Sequence, residues 1–206
     1  MSGFTGEHVP VACELADPHS VAHAIEAVSA MNLQLHMVIA NAGIMALPQL
    51  NTVNGMELQF ATNHLGHFQL VTGLLPLLPT GGRLVIVSSA AHQQAPAAGV
   101  DFDNIDGARG YSPWRAYGQS KLANVLFANE LARRLEDKGI TANSLHPGVI
   151  RTNLGRHMNP LIGIAFSVFG FWAMKSVPQG AATTCYLAAG KRSEEHTSEL
   201  QSPDHL

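Results

Sequence analysis

Short apolar runs alternate along this chain with segments of helical periodicity. Four apolar runs are predicted strands: Val9–Cys13, Leu35–Ala40, Arg83–Ser88 and Thr141–Leu145. The last three are short, continuous and bounded by turn residues, as strands buried on both faces usually are. Strands that alternate with helical segments indicate an α/β fold with a parallel sheet.

The segments between the strands are predicted helices. Asp17 is suited to cap the first of them, and Pro18 fits its first turn. Pro113 begins a later helix in the same way, and that helix should end at Lys138-Gly139. Residues from about 90 to Arg109 are predicted to form a polar loop. The remaining predicted helices are Gly55–Leu78 and Pro178–Ala189.

Composition narrows the class of protein. The chain has 206 residues, of which 46% are hydrophobic and 13% charged, which suits one domain with a substantial core. A net charge of −3 argues against nucleic acid as a partner. No apolar run of membrane-spanning length and no signal-peptide pattern is present. Two cysteines make no disulfide framework, so a reducing, cytoplasmic compartment is expected.

The last fifteen residues, Arg192–Leu206, differ from the rest of the chain. They carry one basic and four acidic residues and no apolar periodicity. Their beginning, RSEEHTSELQS, resembles the in-frame translation of a sequencing-library adapter, while an ordinary polar tail is the alternative. We therefore expect residues 1–191 to form one partial domain and residues 192–206 to be a non-native tail.

Tyr117 and Lys121 are the first candidates for chemistry. Residues four apart on a helix share a face, so the lysine ammonium should lie near the phenol. An adjacent cation favours the phenolate and should lower the tyrosine pKa from about 10. That change would suit a general acid or base. The alternative is an ordinary surface pair on an amphipathic helix.

Three predicted strands end in small or polar residues at the same edge of the sheet. Asn41-Ala42-Gly43 follows the first of the three, Ser88-Ser89 the second, and His146-Pro147-Gly148 the third. In open parallel sheets, ligands bind outside the carboxyl ends of the strands. Each segment alone would be an ordinary strand-to-loop turn, but together they predict a ligand site.

These segments resemble a classical short-chain dehydrogenase/reductase of the branch that includes retinol dehydrogenases and WW-domain oxidoreductases. The similarity extends from Val9 to about Ala189. It implies a Rossmann-type, doubly wound parallel sheet that is incomplete here, lacking the first two strands and the last strand. The segments that carry it are ANAGIM (40–45), FATNHLGHF (60–68), LVIVSSAAH (84–92), YGQSKLANVLFANELARRL (117–135) and HPGVIRTNL (146–154).

The resemblance implies a catalytic set of Asn63, Ser89, Tyr117 and Lys121. Tyr117 would transfer the proton to or from the substrate oxygen. Lys121 would stabilise the phenolate and hold the nicotinamide ribose. Ser89, the second serine of its pair, would hydrogen-bond the substrate oxygen, and the Asn63 backbone would hold a water in a proton relay.

The same resemblance implies NAD or NADP as cofactor, without distinguishing them. By analogy with this branch, the substrate would be an apolar alcohol or ketone. No metal ion is expected, because His64 and His67 have no carboxylate or thiol partners at ligand spacing. Homodimer formation and membrane contact stay open. The implied cofactor-binding residues are Glu14, Leu15, Asn41, Ala42, Gly43, Tyr117, Lys121, Pro147, Gly148, Ile150 and Thr152.

One expected motif is absent from these 206 residues. The family's glycine-rich turn, TGxxxGxG, has no counterpart, since Gly3–Gly6 is too short and follows no apolar strand. The alternative function is therefore a catalytically inactive fragment or an interaction module. The apolar run Leu161–Met174 has three readings: a lid over an apolar substrate, a core or dimer-packing helix, or a membrane contact.

Overall fold

The computed structural model describes residues 6–148 and 176–190 of the chain. Short one-turn helices lie between the main elements. In chain order the main elements are α1 (Pro18–Ala30), β1 (Met37–Ala40), β2 (Thr52–Val53), β3 (Met56–Glu57), α2 (Leu58–Phe60), α3 (Gly66–Leu74), β4 (Arg83–Val87), α4 (Pro113–Leu135), β5 (Thr141–Leu145) and α5 (Val177–Ala189).

The central sheet consists of β1, β4 and β5 in that spatial order, and both pairings are parallel. Ala40 pairs with Ile86, and Ile86 pairs with Ser144, so the three strands end at the same edge. This arrangement confirms the prediction that the three later strands are contiguous and parallel.

Helices pack on both faces of this sheet. On one face, Leu84 and Ile86 of β4 lie in a buried cluster with Val71 of α3 and Leu131 of α4. On the other face, Val85 and Leu145 pack against Leu187 and Ala188 of α5. Helices on both faces of a parallel sheet make the doubly wound arrangement of an incomplete Rossmann-type fold.

The predicted helix starts and stops agree with the structure at three ends. The Asp17 carboxylate accepts from the backbone N–H of His19 at 2.9 Å, and Pro18 is the first residue of α1. Helix α4 begins at Pro113, and a short 3₁₀ turn follows it to Lys138. Gly139 then adopts a left-handed conformation, with φ of 63°, which ends the helix.

Two predicted elements need correction. Residues 9–13 form no strand, because no neighbouring strand in the described part of the chain pairs with them. The predicted helix Gly55–Leu78 begins only at Leu58, after the antiparallel pair β2–β3. Asn54 and Gly55 both have positive φ, 49° and 75°, which is the two-residue hairpin turn that Asn-Gly favours.

Several predicted features lie outside the described residues. They are Ile150, Thr152, the apolar run Leu161–Met174 and the tail Arg192–Leu206. Among the helices that the structure does describe, none combines the length and apolar character needed to cross a bilayer.

Candidate active site

Ser88 and Ser89 follow β4 at the edge where the three strands end, and their side chains take different directions. The buried Ser88 hydroxyl donates to the backbone carbonyl of Lys121 at 2.7 Å. The half-buried Ser89 hydroxyl hydrogen-bonds the side chain of Tyr117. It also accepts from the backbone N–H of Ala91 at 3.2 Å. The second serine therefore meets the tyrosine, as the resemblance implies.

Tyr117 is buried in the first half of α4, with only 3% of its surface exposed. Its ring packs edge-on against Trp114, with centroids 6.1 Å apart. Burial raises the pKa of Tyr117, and the hydrogen bond with Ser89 partly opposes that rise. The prediction that a neighbouring lysine lowers this pKa is thus wrong for the structure, because desolvation outweighs the other effects.

Lys121 lies one turn further along α4 and is fully buried. Its Nζ donates to the carbonyl of Val87, the last residue of β4, at 3.1 Å. The same Nζ lies 5.7 Å from the centre of the Tyr117 ring. Desolvation lowers the pKa of Lys121 to about 8, so the ammonium is held in a site that disfavours its charge.

Gly118 allows α4 to approach the turn that follows Ser89. A Cβ at this position would fall well inside contact distance of the Ala91 carbonyl oxygen and 3.0 Å from the backbone nitrogen of Ala95. Both neighbours are backbone atoms, which cannot move aside as a side chain can. The absence of a side chain at Gly118 therefore lets Tyr117 meet Ser89.

Asn63 lies in a π-helical turn, Ala61–Leu65, between α2 and α3. Its side chain is fully buried and pairs with the backbone of Ile44, accepting from N–H at 2.8 Å and donating to C=O at 2.9 Å. It also donates to the Ser120 hydroxyl at 3.0 Å. A Cβ on Gly43 would lie 2.8 Å from Asn63 Oδ1 and 3.7 Å from Lys121 Nζ. Asn63, Gly43 and Lys121 are thus close neighbours.

Two side-chain nitrogens lie within hydrogen-bond distance of the backbone carbonyl oxygen of Asn63. Asn124 Nδ2 donates to it at 3.1 Å, and His67 Nδ1 lies 2.9 Å from it. Because a carbonyl oxygen only accepts, His67 carries its proton on Nδ1.

Four of the other implied cofactor residues follow strands at this edge of the sheet. Asn41 and Ala42 are exposed beyond β1, while Pro147 and Gly148 are half-buried beyond β5. The exposed Glu14 carboxylate accepts from the Ala16 N–H at 3.1 Å.

Leu15 precedes α1, and its carbonyl oxygen lies against Gly66, where a Cβ would not fit. The structure thus places every implied cofactor residue except Ile150 and Thr152.

Sequence reasoning missed a second buried amide, that of Gln59. Its Oε1 accepts from the Ala46 N–H at 2.7 Å, and its Nε2 donates to the Tyr111 hydroxyl at 3.0 Å. Tyr111 in turn donates to the Leu47 carbonyl at 2.7 Å. Gln59 lies four residues before Asn63, so helical spacing could have pointed to it. Together the two amides hold residues 44–47 in place after β1.

No group of three or more His, Cys, Asp or Glu side chains suited to a metal ion occurs within residues 6–148 and 176–190.

Comparison with known families identifies the class of protein. A family model described as enoyl-(acyl carrier protein) reductase matches residues 2–167. A Brassica napus relative named short-chain dehydrogenase TIC 32 A, chloroplastic, is 44% identical over 185 residues. The chain belongs to the short-chain dehydrogenase/reductase family. The TIC 32 A alignment covers 85% of this chain and 57% of the relative.

Human relatives give the same family. Retinol dehydrogenase 14 of Homo sapiens is 40% identical over 193 residues, covering 92% of this chain and 56% of the relative. The chain therefore spans a little over half the length of the curated short-chain dehydrogenases that it matches.

Solved structures of the family share the fold. A 3-alpha-hydroxysteroid dehydrogenase from Pseudomonas sp. B-0831, complexed with NADH, has a TM-score of 0.74 at 22% identity, covering 92% of this chain and 80% of its own. A short-chain dehydrogenase from Burkholderia cenocepacia J2315, in complex with NADP, has a TM-score of 0.67 at 20% identity, covering 92% and 72%. The family's parallel sheet is thus recovered in the described residues.

Proposed function

We propose that this chain carries the catalytic residues of an oxidoreductase that transfers hydride between a nicotinamide dinucleotide and an alcohol or ketone. The observation that carries the proposal is the meeting of Ser89, Tyr117 and Lys121 at the carboxyl edge of the sheet. Ser89 hydrogen-bonds the tyrosine, and the lysine lies beneath the same ring. The Ser88 hydroxyl donates to the backbone of α4 and has no role in the proposed reaction.

Each member of this set has a distinct role in the proposal. Tyr117 gives its phenolic proton to the carbonyl oxygen of a ketone, or takes one from an alcohol. Ser89 donates to that oxygen as negative charge develops on it. Lys121 is largely protonated below pH 8, and its ammonium would stabilise the phenolate that is left when Tyr117 gives up its proton.

The residues present fit a nicotinamide dinucleotide on two observations. Lys121 Nζ has three donors, of which the described contacts assign one, to Val87. Gly43, which follows β1, lies beside that ammonium, since a Cβ on it would be 3.7 Å from Lys121 Nζ. The cofactor would be held from two sides. Lys121 and the residues that follow β1, which are Asn41, Ala42 and Gly43, would bind it from one side. Pro147 and Gly148, which follow β5, would bind it from the other. Glu14, Leu15, Ile150 and Thr152 complete the proposed set. The cofactor supplies or accepts the hydride when bound.

The substrate class rests on the names of relatives. Retinol dehydrogenase 14 and 3-alpha-hydroxysteroid dehydrogenase are both named for alcohols on large apolar skeletons. We propose an apolar alcohol or ketone for this chain, with no nucleic acid and no metal ion in the reaction.

The proposal is tested by following absorbance at 340 nm. A form of the protein extended to the length of its relatives is incubated with NADH or NADPH and a set of apolar aldehydes and ketones. Oxidation of NADH or NADPH that depends on the carbonyl compound is expected. No turnover with any carbonyl compound or alcohol, in a form that binds dinucleotide, would contradict it.

A further inference from the structure

We propose that Trp114 determines substrate specificity at the candidate active site, because its indole ring binds the apolar group attached to the carbonyl carbon of the substrate. This role rests on the proposed function and deepens it, since it names the side chain that selects an apolar substrate. The role predicts a difference between two substrates, whereas the proposed function predicts turnover, so the two can fail separately.

Trp114, Tyr117 and Lys121 form a row along one side of α4, because residues three and four apart on a helix share a face. The ring centroids of Trp114 and Tyr117 are 6.1 Å apart, and the two ring planes are nearly perpendicular, at 80°. Lys121 Nζ lies 5.7 Å from the centre of the Tyr117 ring. The indole and the ammonium are thus neighbours of the same phenol, from one turn before it and one turn after it.

This row runs outward from the carboxyl edge of the sheet. Lys121 Nζ donates to the carbonyl of Val87, the last residue of β4, at 3.1 Å. Tyr117 meets Ser89, which is two residues beyond Val87. Trp114 is three residues further from Lys121, or about 4.5 Å along the helix axis. The indole therefore lies beyond Tyr117, on the side away from the sheet.

The order of these residues indicates where the non-reacting part of the substrate lies. Lys121 and Gly43, which belong to the proposed cofactor set, are close together near the sheet edge, since a Cβ on Gly43 would be 3.7 Å from Lys121 Nζ. The reacting oxygen has to reach Tyr117 and Ser89. A group attached to the carbonyl carbon therefore extends away from the dinucleotide and towards the indole.

Trp114 is suited to bind an apolar group at that place. It is half-buried among the described residues, so part of its indole surface is exposed to a ligand. An indole offers a large, flat apolar surface, and covering that surface is favourable. Because the ring packs directly on Tyr117, we expect it to contact the group next to the carbonyl carbon rather than a distant part of the substrate.

The test compares propanal with cyclohexanecarbaldehyde, two aldehydes that differ in the apolar group beside the carbonyl, in the extended form. Trp114→Ala should lower kcat/KM by about 10-fold or more for cyclohexanecarbaldehyde and by less than about 3-fold for propanal. The loss should appear chiefly in KM, because the contact is present in the ground state and in the transition state alike. Trp114→Phe keeps a flat ring and should fall between the parent and the alanine variant.

Other outcomes would overturn the proposal. A residue that only supported the Tyr117 ring would lower kcat equally for both aldehydes. An indole covered by another segment of this chain, instead of by the substrate, would leave the ratio of the two kcat/KM values unchanged. If the alanine variant does not fold, an unchanged ratio in Trp114→Phe overturns the proposal.

Leu126→Ala is the matched control. Leu126 is also a large apolar side chain of α4, and half of its surface is exposed. It lies five residues after Lys121, so it is not on the face that carries the row. This substitution should leave the ratio of the two kcat/KM values unchanged. A change as large as that of Trp114→Ala would show that the ratio does not report contact with the indole.

A binding measurement needs no turnover of these aldehydes. The extended form is labelled with 5-fluorotryptophan and saturated with oxidised dinucleotide, which cannot reduce a ketone, and 1-cyclohexylethanone is added. The ¹⁹F signal of Trp114, identified by its loss in Trp114→Phe, should shift until the ketone saturates the site. An unmoved signal, in an extended form that converts any carbonyl compound, overturns the proposal. An extended form that converts none contradicts the proposed function, and this role with it.

Discussion

The hydroxyl of Ser88 donates to the backbone carbonyl of Lys121, 2.7 Å away. This bond joins the end of β4 to the middle of α4 at the level of the lysine. It also occupies the first serine of the Ser88-Ser89 pair, and it leaves the second to face Tyr117. Adjacent serines at the end of one strand thus have a structural and a proposed catalytic role.

The two serines should respond differently to alanine. In the extended form, Ser89→Ala should lower kcat by about 10²-fold or more, because the substrate oxygen loses a donor as charge develops. Ser88→Ala should lower the free energy of unfolding by about 1 kcal/mol, the usual worth of one buried hydrogen bond, and should change kcat much less. Steady-state kinetics and urea unfolding of both variants decide this. Equal rate losses would contradict the division of roles.

Gly118→Ala should destabilise the chain although the residue lies within a helix. Alanine normally stabilises a helix interior by about 1 kcal/mol relative to glycine, but here the new Cβ would meet the Ala91 carbonyl. Gly73→Ala, in α3, is the matched control, because its Cβ would meet the tip of the flexible Ile25 side chain. Urea midpoints should fall further for Gly118→Ala than for Gly73→Ala. The reverse order would show that α4 has room to move.

Lys121 should make stability increase with pH. Its folded pKa is about 8 and its ordinary value is 10.5, so between these values the unfolded chain binds more protons than the folded one. The free energy of unfolding should therefore rise by about 2 kcal/mol from pH 8 to pH 10. Below pH 8 the lysine is protonated in both states and adds no slope.

Lys121→Met is the control for that rise. The variant removes the titrating group and keeps an apolar chain of similar length, so the increase between pH 8 and 10 should disappear. Tyr117 and Tyr111 have pKa values raised by burial, that of Tyr111 to about 12. Because the unfolded phenols begin to ionise below pH 10, both tyrosines lower stability towards the upper end of this window, and they do so equally in the parent and in Lys121→Met. An increase that persists in Lys121→Met would assign it to another group.

The sequence predicted the central fold well because its signals are local. Continuous apolar runs identified β1, β4 and β5, and capping residues located the starts of α1 and α4. The two errors had different causes, one non-local and one local. A strand needs a partner, which residues 9–13 lack within the described chain. The Asn54-Gly55 hairpin signal was overlooked inside an apolar stretch.

The site was predicted in part. Helical spacing and strand ends pointed to Tyr117, Lys121 and the serine pair, but they could not give the sign of the tyrosine pKa, which depends on burial. The contacts of Asn124 and Gln59 involve backbone carbonyls and N–H groups brought together by tertiary packing. No spacing along the chain encodes those contacts.

The 206-residue chain should bind NADH and NADPH weakly, with dissociation constants well above the micromolar range. It contains no TGxxxGxG turn, and that turn normally supplies backbone donors and a helix N-terminus to the pyrophosphate. Fluorescence titration measures this directly, with the extended form as the control. Micromolar affinity in the short chain would show that the described residues suffice.

The most direct test of the account is the rate of Tyr117→Phe in the extended form. The change removes one oxygen from a buried ring and keeps the packing against Trp114. It should lower kcat by at least about 10²-fold, the usual contribution of a general acid or base, while dinucleotide affinity changes little. Wild-type turnover by Tyr117→Phe, on a substrate that the parent enzyme converts, would contradict the assignment of Tyr117 as the proton donor.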